Sequence, residues 1–416
     1  MSRRARCLFF SLVWSALLFC DKPNPPSIFP IMAWHGPTRQ QTSLEAFQQL
    51  KNAGFSINFS NYGERAFNLQ ALDWASQAGI QLLLADPRID YLVQNRFAPL
   101  HRLDSLVLDY QKHPAFFGYY LKDEPAQSEF ERLAEVAEYL RQKDPVHPCY
   151  INLFPTYASP LQLGVDSYFA YVQNFLDQVQ PPFLSFDHYP ILEKGLRPDF
   201  YQNLEIIRRA ALGKRIPFWA FTLSVPHSPY PTPHITHLRL QLYSALAYGA
   251  RGLQYFTYST PISNQWNFRD AILGPDGRLT STYEAAKRVN EEILRIAPLM
   301  SQMQSEAVCH SPPIPTGCIG LQPHLPIVSV YGSDILMGFF RDKNGHYYVL
   351  LVNKNYNTGA MPKIYFSQKV RRLLEIPRND SQAISVSWRK SHTERNHPIL
   401  FKAGEGRLFL LELESE

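Results

Sequence analysis

Phe116-Phe117-Gly118-Tyr119-Tyr120-Leu121-Lys122-Asp123-Glu124-Pro125 is the stretch that decides how the chain is read. An apolar and aromatic run of strand length ends here in two adjacent carboxylates, and Pro125, which has no N–H to give to a ladder, stops the strand. Acids at a strand's carboxyl end lie where α/β proteins place their chemistry, because the loops leaving those ends line the crevice. The same two acids could equally cap the helix expected over residues 128–143, since Asp suits an N-cap and acids suit a first turn. The rest of the chain has to decide between a cap and a site.

Outward from this stretch, apolar strand-like runs alternate with amphipathic helical ones, the pattern that builds parallel sheets. Strands are expected over residues 28–34, 55–60, 80–86, 116–123, 149–154, 183–187, 217–223 and 252–258. Helices are expected between them, with Gly54 and Gly79 as C-cap signals, and a last helix over 281–296. Eight strand–helix pairs in this length predict a (β/α)8 barrel spanning residues 28–300. An open doubly wound sheet is disfavoured, because no glycine-rich phosphate loop follows the first strand. Beyond residue 300, short runs at 334–341, 346–353, 363–366, 384–388 and 407–413, broken by turns such as Lys343-Asn344-Gly345, predict a small antiparallel β-sandwich over 301–416. No convergent set of reactive residues falls in it, so a stabilising or accessory role is expected.

Composition narrows the function classes. The chain has 416 residues, 45% hydrophobic and 19% charged, which is ordinary for a globular protein. It opens on Arg3, Arg4 and Arg6, followed by an apolar run over 7–19 too short to span a bilayer comfortably, which reads as an export signal over 1–20. Removing those three arginines takes the net charge from +5 to +2, so charge gives nucleic-acid binding no support. Cys20 precedes a proline-rich linker over 21–27 and resembles a bacterial lipoprotein processing site, although Phe19 stands where a small residue is usual. Lipid anchoring to a membrane through Cys20 and release as a secreted protein both remain open. Cys149 reads as buried and inert, whereas Cys309 and Cys318 could pair in an oxidising compartment. No CxxC or His-rich spacing suggests a metal site, and no cofactor is expected.

If the barrel forms, the polar residues at its strand ends share one cavity. They are Trp34 and His35 after strand one, Asn58 and Asn61 around strand two, and Asp86 and Arg88 after strand three. Asp123 and Glu124 follow strand four, Asn152 strand five, and Asp187, His188 and Tyr189 strand six. Thr222 lies on strand seven and Tyr258 on strand eight, with Trp266 on the loop beyond. Carboxylates, amides, histidine and flat rings suit a sugar, since polar groups meet its hydroxyls while rings cover its C–H face. A phosphate site would want backbone nests and several Lys or Arg instead. Each member also has a plainer reading. Trp34 could be core, His35 and His188 could bond to backbone or a neighbouring acid, and Asp86 before Pro87 could cap a turn. Asp187, ending an apolar run, is harder to dismiss, because a buried carboxylate is costly unless it is paired or functional.

Four stretches carry a family likeness: Trp34-His35-Gly36-Pro37, the strand-four segment from Gly118 to Pro125, Tyr243-Ser244-Ala245-Leu246-Ala247-Tyr248-Gly249-Ala250-Arg251-Gly252 running into Tyr255-Phe256, and the tail Phe401-Lys402-Ala403-Gly404-Glu405-Gly406-Arg407-Leu408-Phe409. Together they resemble glycoside hydrolases with (β/α)8 barrels, broadly the clan A type that includes family 42 β-galactosidases, followed by a C-terminal β-domain. The resemblance implies an oligo- or polysaccharide substrate and Glu124 as general acid/base. It also implies a Glu nucleophile at the end of strand seven, where Phe218-Trp219-Ala220-Phe221-Thr222-Leu223-Ser224-Val225 holds no acid. Asp187 is the candidate second carboxylate. Glycosidases that attack with the substrate's own acetamido group dispense with that acid and often carry an adjacent Asp-Glu on strand four, so Asp123-Glu124 with Tyr189 also fits them. A non-catalytic glycan-binding barrel is the alternative from a different class.

Overall fold

Apolar runs that lack the alternation of a half-exposed strand need cover on both faces, and the first part of the chain supplies it. The computed structural model describes residues 29–377, 384–386, 389–390 and 395–414; the expected leader and linker, with Cys20, lie outside them. Eight parallel strands form a closed barrel: β1 (Ile31–Trp34), β2 (Ile57–Ser60), β3 (Gln81–Leu84), β4 (Phe116–Asp123), β5 (Cys149–Leu153), β6 (Leu184–Phe186), β7 (Phe218–Leu223) and β8 (Gly252–Phe256). Each pairs with the next in sequence, and β8 returns to β1 with Ile31 opposite Leu253 and Trp34 opposite Phe256.

Outside the barrel run α1 (Leu44–Asn52), α2 (Arg65–Ala78), α3 (Asp104–Tyr110), α4 (Phe130–Lys143), α5 (Tyr168–Val179), α6 (Phe200–Lys214), α7 (Ile235–Ala247) and α8 (Ser281–Met300). Local chemistry sets their ends. The Ser43 side chain accepts from the Ala46 N–H at the start of α1, and Gly79 closes α2 in the left-handed region at φ 68°, which costs glycine little.

Two layers of core result. Phe116, Tyr119 and Leu121 of β4 face the helices, whereas Phe117 and Tyr120 point inward to join Trp34, Phe59, Tyr150, Trp219 and Phe221. β4 is the longest barrel strand, and its register slips once against β3 and once against β5. The second slip, between Tyr120 and Lys122, is an irregularity of the kind that re-aims side chains beside active sites.

After α8 the chain forms two antiparallel sheets. Six strands pair in the order β9 (Gln304–His310), β11 (Ile335–Arg341), β12 (Tyr347–Asn353), β18 (Gly406–Leu413), β14 (Val370–Ile376), β15 (Ile384–Val386). Four more pair in the order β10 (Ile327–Tyr331), β13 (Lys363–Phe366), β17 (Arg395–Pro398), β16 (Arg389–Lys390). Phe339, Val349, Leu351, Ile364, Phe366 and Phe409 fill the space between. Sequence reading did not anticipate β9, β10, β14, β16 or β17. Cys309 and Cys318 are unpaired: Cys309 is buried in the sandwich core, whereas Cys318 lies 3.5 Å from the Tyr248 hydroxyl and packs on the barrel side.

The sandwich presses on α7, in which ten successive residues, 238–247, are all buried. A helix covered by the barrel on one side only would keep a polar face. Here Gly338 and Gly406 let the sandwich backbone approach closely: a Cβ on Gly338 would sit 2.2 Å from the Ala247 carbonyl oxygen, and one on Gly406 would sit 2.3 Å from the Tyr243 ring.

Candidate active site

Strand ends converge on a cavity of about 310 Å3 at the carboxyl end of the barrel, within the size range of small-molecule sites. Asp123, Glu124 and Asp187 supply its acids and Asn152 its amide. Aromatic rings form most of the rest, with Trp34 and Phe221 toward the barrel interior and Tyr189, Phe256, Trp266 and Phe268 around the mouth. No lysine or arginine lines it.

A chain of interior hydrogen bonds fixes the acids. Gln254 of β8 donates through Nε2 to Ser185 Oγ at 2.9 Å, and Tyr150 OH donates to Gln254 Oε1 at 2.5 Å. Ser185 then donates to Asn152 Oδ1 at 2.9 Å. With its oxygen committed, Asn152 aims Nδ2 at the cavity and donates to Asp187 Oδ1 at 2.9 Å and Asp123 Oδ1 at 3.1 Å. A carboxylate at this position could not donate at all, and an alanine would leave Ser185 and both acids without their shared partner.

Glu124 sits one residue past β4 with φ +47°, in the left-handed region that a side chain enters only at a cost, and its N–H donates to the Asn152 carbonyl at 2.9 Å. That turn brings its carboxyl into hydrogen-bonding contact with Asp187. Burial, then the negative charges of Asp187 and Asp123, push the Glu124 pKa well up, and the proton it keeps is donated to Asp187. Burial and Asp123 also raise Asp187, against the hydrogen bonds from Asn152 and Glu124. Burial raises the Asp123 pKa as well, and the hydrogen bond from Asn152 and the nearby charge of Lys122 work against it. The site thus holds a carboxylic acid protonated near neutrality beside an ionisable partner, in an open cavity walled by rings. It can give a proton to a bound oxygen and stabilise positive charge.

Of the residues expected at the site, Trp34, Asp123, Glu124, Asn152, Asp187, Tyr189 and Trp266 line this cavity. Trp34 is both packing and wall: it is buried, with its ring centroid 4.2 Å from Phe59 and 5.2 Å from Phe221. His35 lies exposed after β1, its ring 6.0 Å from Phe256, and is not among the lining residues.

Seven more of the expected residues stand away from this cavity. Asn58 is fully buried and turned toward the β1–β2 connection, where it donates to Ser60 Oγ at 3.3 Å. Asp86 caps the helix Pro87–Gln94 and is clasped by Arg88 at 2.8 Å and by Tyr110 OH at 2.7 Å. His188 follows the inward Asp187 and so points outward, between Tyr157 and Phe200, with Nε2 3.4 Å from Asp199. Tyr258 packs in the outer core, 5.6 Å from Phe55. Asn61 and Arg88 serve local structure, the first in a turn with the Gly63 N–H and the second between Asp86 and Asp109. Thr222 is buried and does not line the cavity.

Sequence reading missed Phe154, Tyr157, His227 and Tyr230, which come from loops after β5 and β7. Arg197 pins that wall, with its guanidinium 4.1 Å from the Tyr157 ring centre and Nη2 3.1 Å from Tyr230 OH. A signal was present in the apolar strands themselves, where Ser185 and Gln254 are polar at inward positions. Among the described residues, no group of three or more His, Cys, Asp or Glu could hold a metal ion, and no helix is long and apolar enough to cross a membrane.

No family model matches the sequence, and no curated protein matches it. Solved structures do. The chain is similar to a β-galactosidase from Bacillus circulans sp. alkalophilus, with a TM-score of 0.61 and 10% identity over 92% of this chain and 99% of that one. A catalytic mutant of a GH42 β-galactosidase from G. stearothermophilus gives a TM-score of 0.60 and 10% identity over 93% and 98% of the two chains. With a β-galactosidase from the psychrophilic Marinomonas ef1 the TM-score is 0.51 at 13% identity, over 65% of this chain and 60% of that one, so less than two thirds of that enzyme's length is matched. At these identities the likeness is one of fold: a (β/α)8 barrel followed by a β-domain, as the strand order shows directly.

Proposed function

We propose that the protein is a glycoside hydrolase acting on an oligo- or polysaccharide, with Glu124 as general acid/base. The observation that carries the reading is Glu124 itself, held against Asp187 in an open, aromatic-walled cavity where its carboxyl stays protonated. Breaking a glycosidic bond requires that the leaving oxygen be protonated as positive charge grows at the anomeric carbon, and a carboxylic acid of raised pKa does this near neutral pH. The aromatic walls suit the C–H faces of sugar rings, and the lack of lysine or arginine disfavours phosphorylated or acidic sugars. The solved β-galactosidases of similar fold support the same direction.

The test is hydrolysis of a panel of aryl glycosides and polysaccharides by the wild type and by Glu124→Gln. Loss of roughly 100- to 10,000-fold in rate is expected, with the circular dichroism spectrum and melting curve retained; undiminished turnover would remove the assignment. A second reading, a non-catalytic glycan-binding barrel, is favoured by one observation: β7 ends without an acid. Sugar binding by both proteins with cleavage by neither would establish it.

Export is part of the same proposal. The basic and apolar leader supports it, with Cys20 as the lipidated residue if the chain is tethered to a membrane. The mass of the mature chain's N-terminus separates tethering from release.

A further inference from the structure

We propose that the sugar bound in this cavity carries a 2-acetamido group, and that its own carbonyl oxygen, not a protein carboxylate, attacks the anomeric carbon. The inference rests on the glycosidase reading above. Its ground is where the acids stand around the ring of strands. Asp123 and Glu124 end β4 and Asp187 follows β6, joined through Asn152 of the intervening β5, so all three occupy one wall. Enzymes that use two carboxylates place them about 5–5.5 Å apart for retention or about 6.5–9.5 Å apart for inversion, because the anomeric centre, or that centre and a water, must fit between them. Glu124 and Asp187 are in hydrogen-bonding contact and leave room for neither.

Across the cavity stand Trp34 of β1, Phe221 of β7 and Phe256 of β8. A sugar whose leaving oxygen meets Glu124 therefore turns its opposite face to rings, not to a protein nucleophile. Asp123 is the acid left over. It faces the mouth beside Glu124, its side chain accepts a hydrogen bond from Asn152, and neighbouring Lys122 is engaged by Glu129 at 2.9 Å. Such a carboxylate can accept the N–H of an acetamido group, fixing its carbonyl under the anomeric carbon and stabilising the charge that spreads onto nitrogen.

In the first step the acetamido oxygen bonds to C1 while the glycosidic C1–O bond breaks, and its electron pair leaves on the aglycone oxygen, which takes the Glu124 proton. The cyclic oxazolinium that results keeps its N–H on Asp123. In the second step water bonds to C1 and gives a proton to the Glu124 carboxylate, while the C1–O bond of the ring breaks and restores the acetamide. The product keeps its anomeric configuration.

The full chain is assayed on matched aryl glycosides with 2-acetamido or 2-hydroxy groups, and on acetamides bearing one, two or three fluorines. The acetamido series is expected to exceed the 2-hydroxy series by about 100-fold or more in kcat/KM, with kcat falling at each fluorine as the carbonyl becomes a poorer nucleophile. Asp123→Asn is expected to lower kcat on acetamido substrates by about 10-fold or more with little change in KM. Glu124-dependent turnover of 2-hydroxy glycosides at equal rates, rates indifferent to fluorination, or an inverted product would overturn this inference and leave the glycosidase reading standing. No turnover in either series would defeat both.

Discussion

Two sets of acids in this barrel are treated in opposite ways. Asp86, Asp144 and Asp199 serve the wall: Asp86 is gripped by Arg88 and Tyr110, Asp144 by Tyr119 and His147, and Asp199 by Thr156 and His188. Burial works against the ionisation of each, yet these partners hold all three pKa values below the ordinary carboxylate range, Asp199 at about 2. Asp123, Glu124 and Asp187 face the cavity, share an amide and one another, have no lysine or arginine among the lining residues, and are all shifted upward. A carboxylate whose hydrogen-bond donors outweigh its burial, a guanidinium on Asp86 and hydroxyl and imidazole groups on Asp144 and Asp199, becomes a lasting anion that holds loops in place. One whose burial and acidic neighbours outweigh its donors is left free to exchange a proton.

Glu124→Gln probes this contrast hardest. Its loss of rate should come without loss of stability, because ionised Glu124 burdens the fold. The folded pKa is raised, so the stability that the protonated group contributes is complete below about pH 4 and is lost as the pH climbs through the folded value. The variant has no such dependence and should melt at or above the wild-type temperature in alkaline solution, as scanning calorimetry can show. In the wild type, activity should fall on the basic side as the same proton is lost.

Next in size is Asp86→Ala, which strips a buried acid from Arg88 and uncaps a helix. Denaturant unfolding should show a loss of about 3 kcal/mol, with KM and the pH–rate profile unchanged. The wall acids also set an acid limit. Asp199 is depressed in the folded state, so its contribution is present above about pH 4 and is lost between about pH 4 and pH 2. Asn152→Ala, which unties both cavity acids from the interior network, should lower kcat roughly 10- to 100-fold. Trp266→Ala removes a half-exposed wall, 53% accessible, and should raise KM only a few-fold at constant kcat, consistent with about 1 kcal/mol of ring contact.

The barrel was legible because its strands are apolar runs with marked ends. Pro125 stops the β4 segment, and Gly54 and Gly79 close the helices before β2 and β3. Half of the site was legible for the same reason, since Asp123, Glu124, Asn152 and Asp187 stand at strand ends. The errors trace to alternation along the chain: His188 follows an inward residue and must point outward, and Tyr258, expected at the end of β8, turns into the outer layer. Asp86 before Pro87 carried the pattern of a helix cap, and that is what it is. Tyr157, His227 and Tyr230 lie on irregular loops, whose path is set by tertiary contacts such as Arg197 and leaves no periodic trace in the residues themselves. The sandwich was half seen, because strands such as Val370–Ile376 mix charged and apolar residues without the clean alternation of a half-buried strand.

The enclosure of α7 bears on how such a protein can be inherited. With residues 238–247 all buried, one face of α7 against the barrel and the other, with Tyr243 and Ala247, beneath the sandwich backbone, a chain shortened after Met300 would bare that second face and should precipitate. The trailing domain is therefore no interchangeable cassette to be traded between lineages. It and the barrel must be kept, or lost, together.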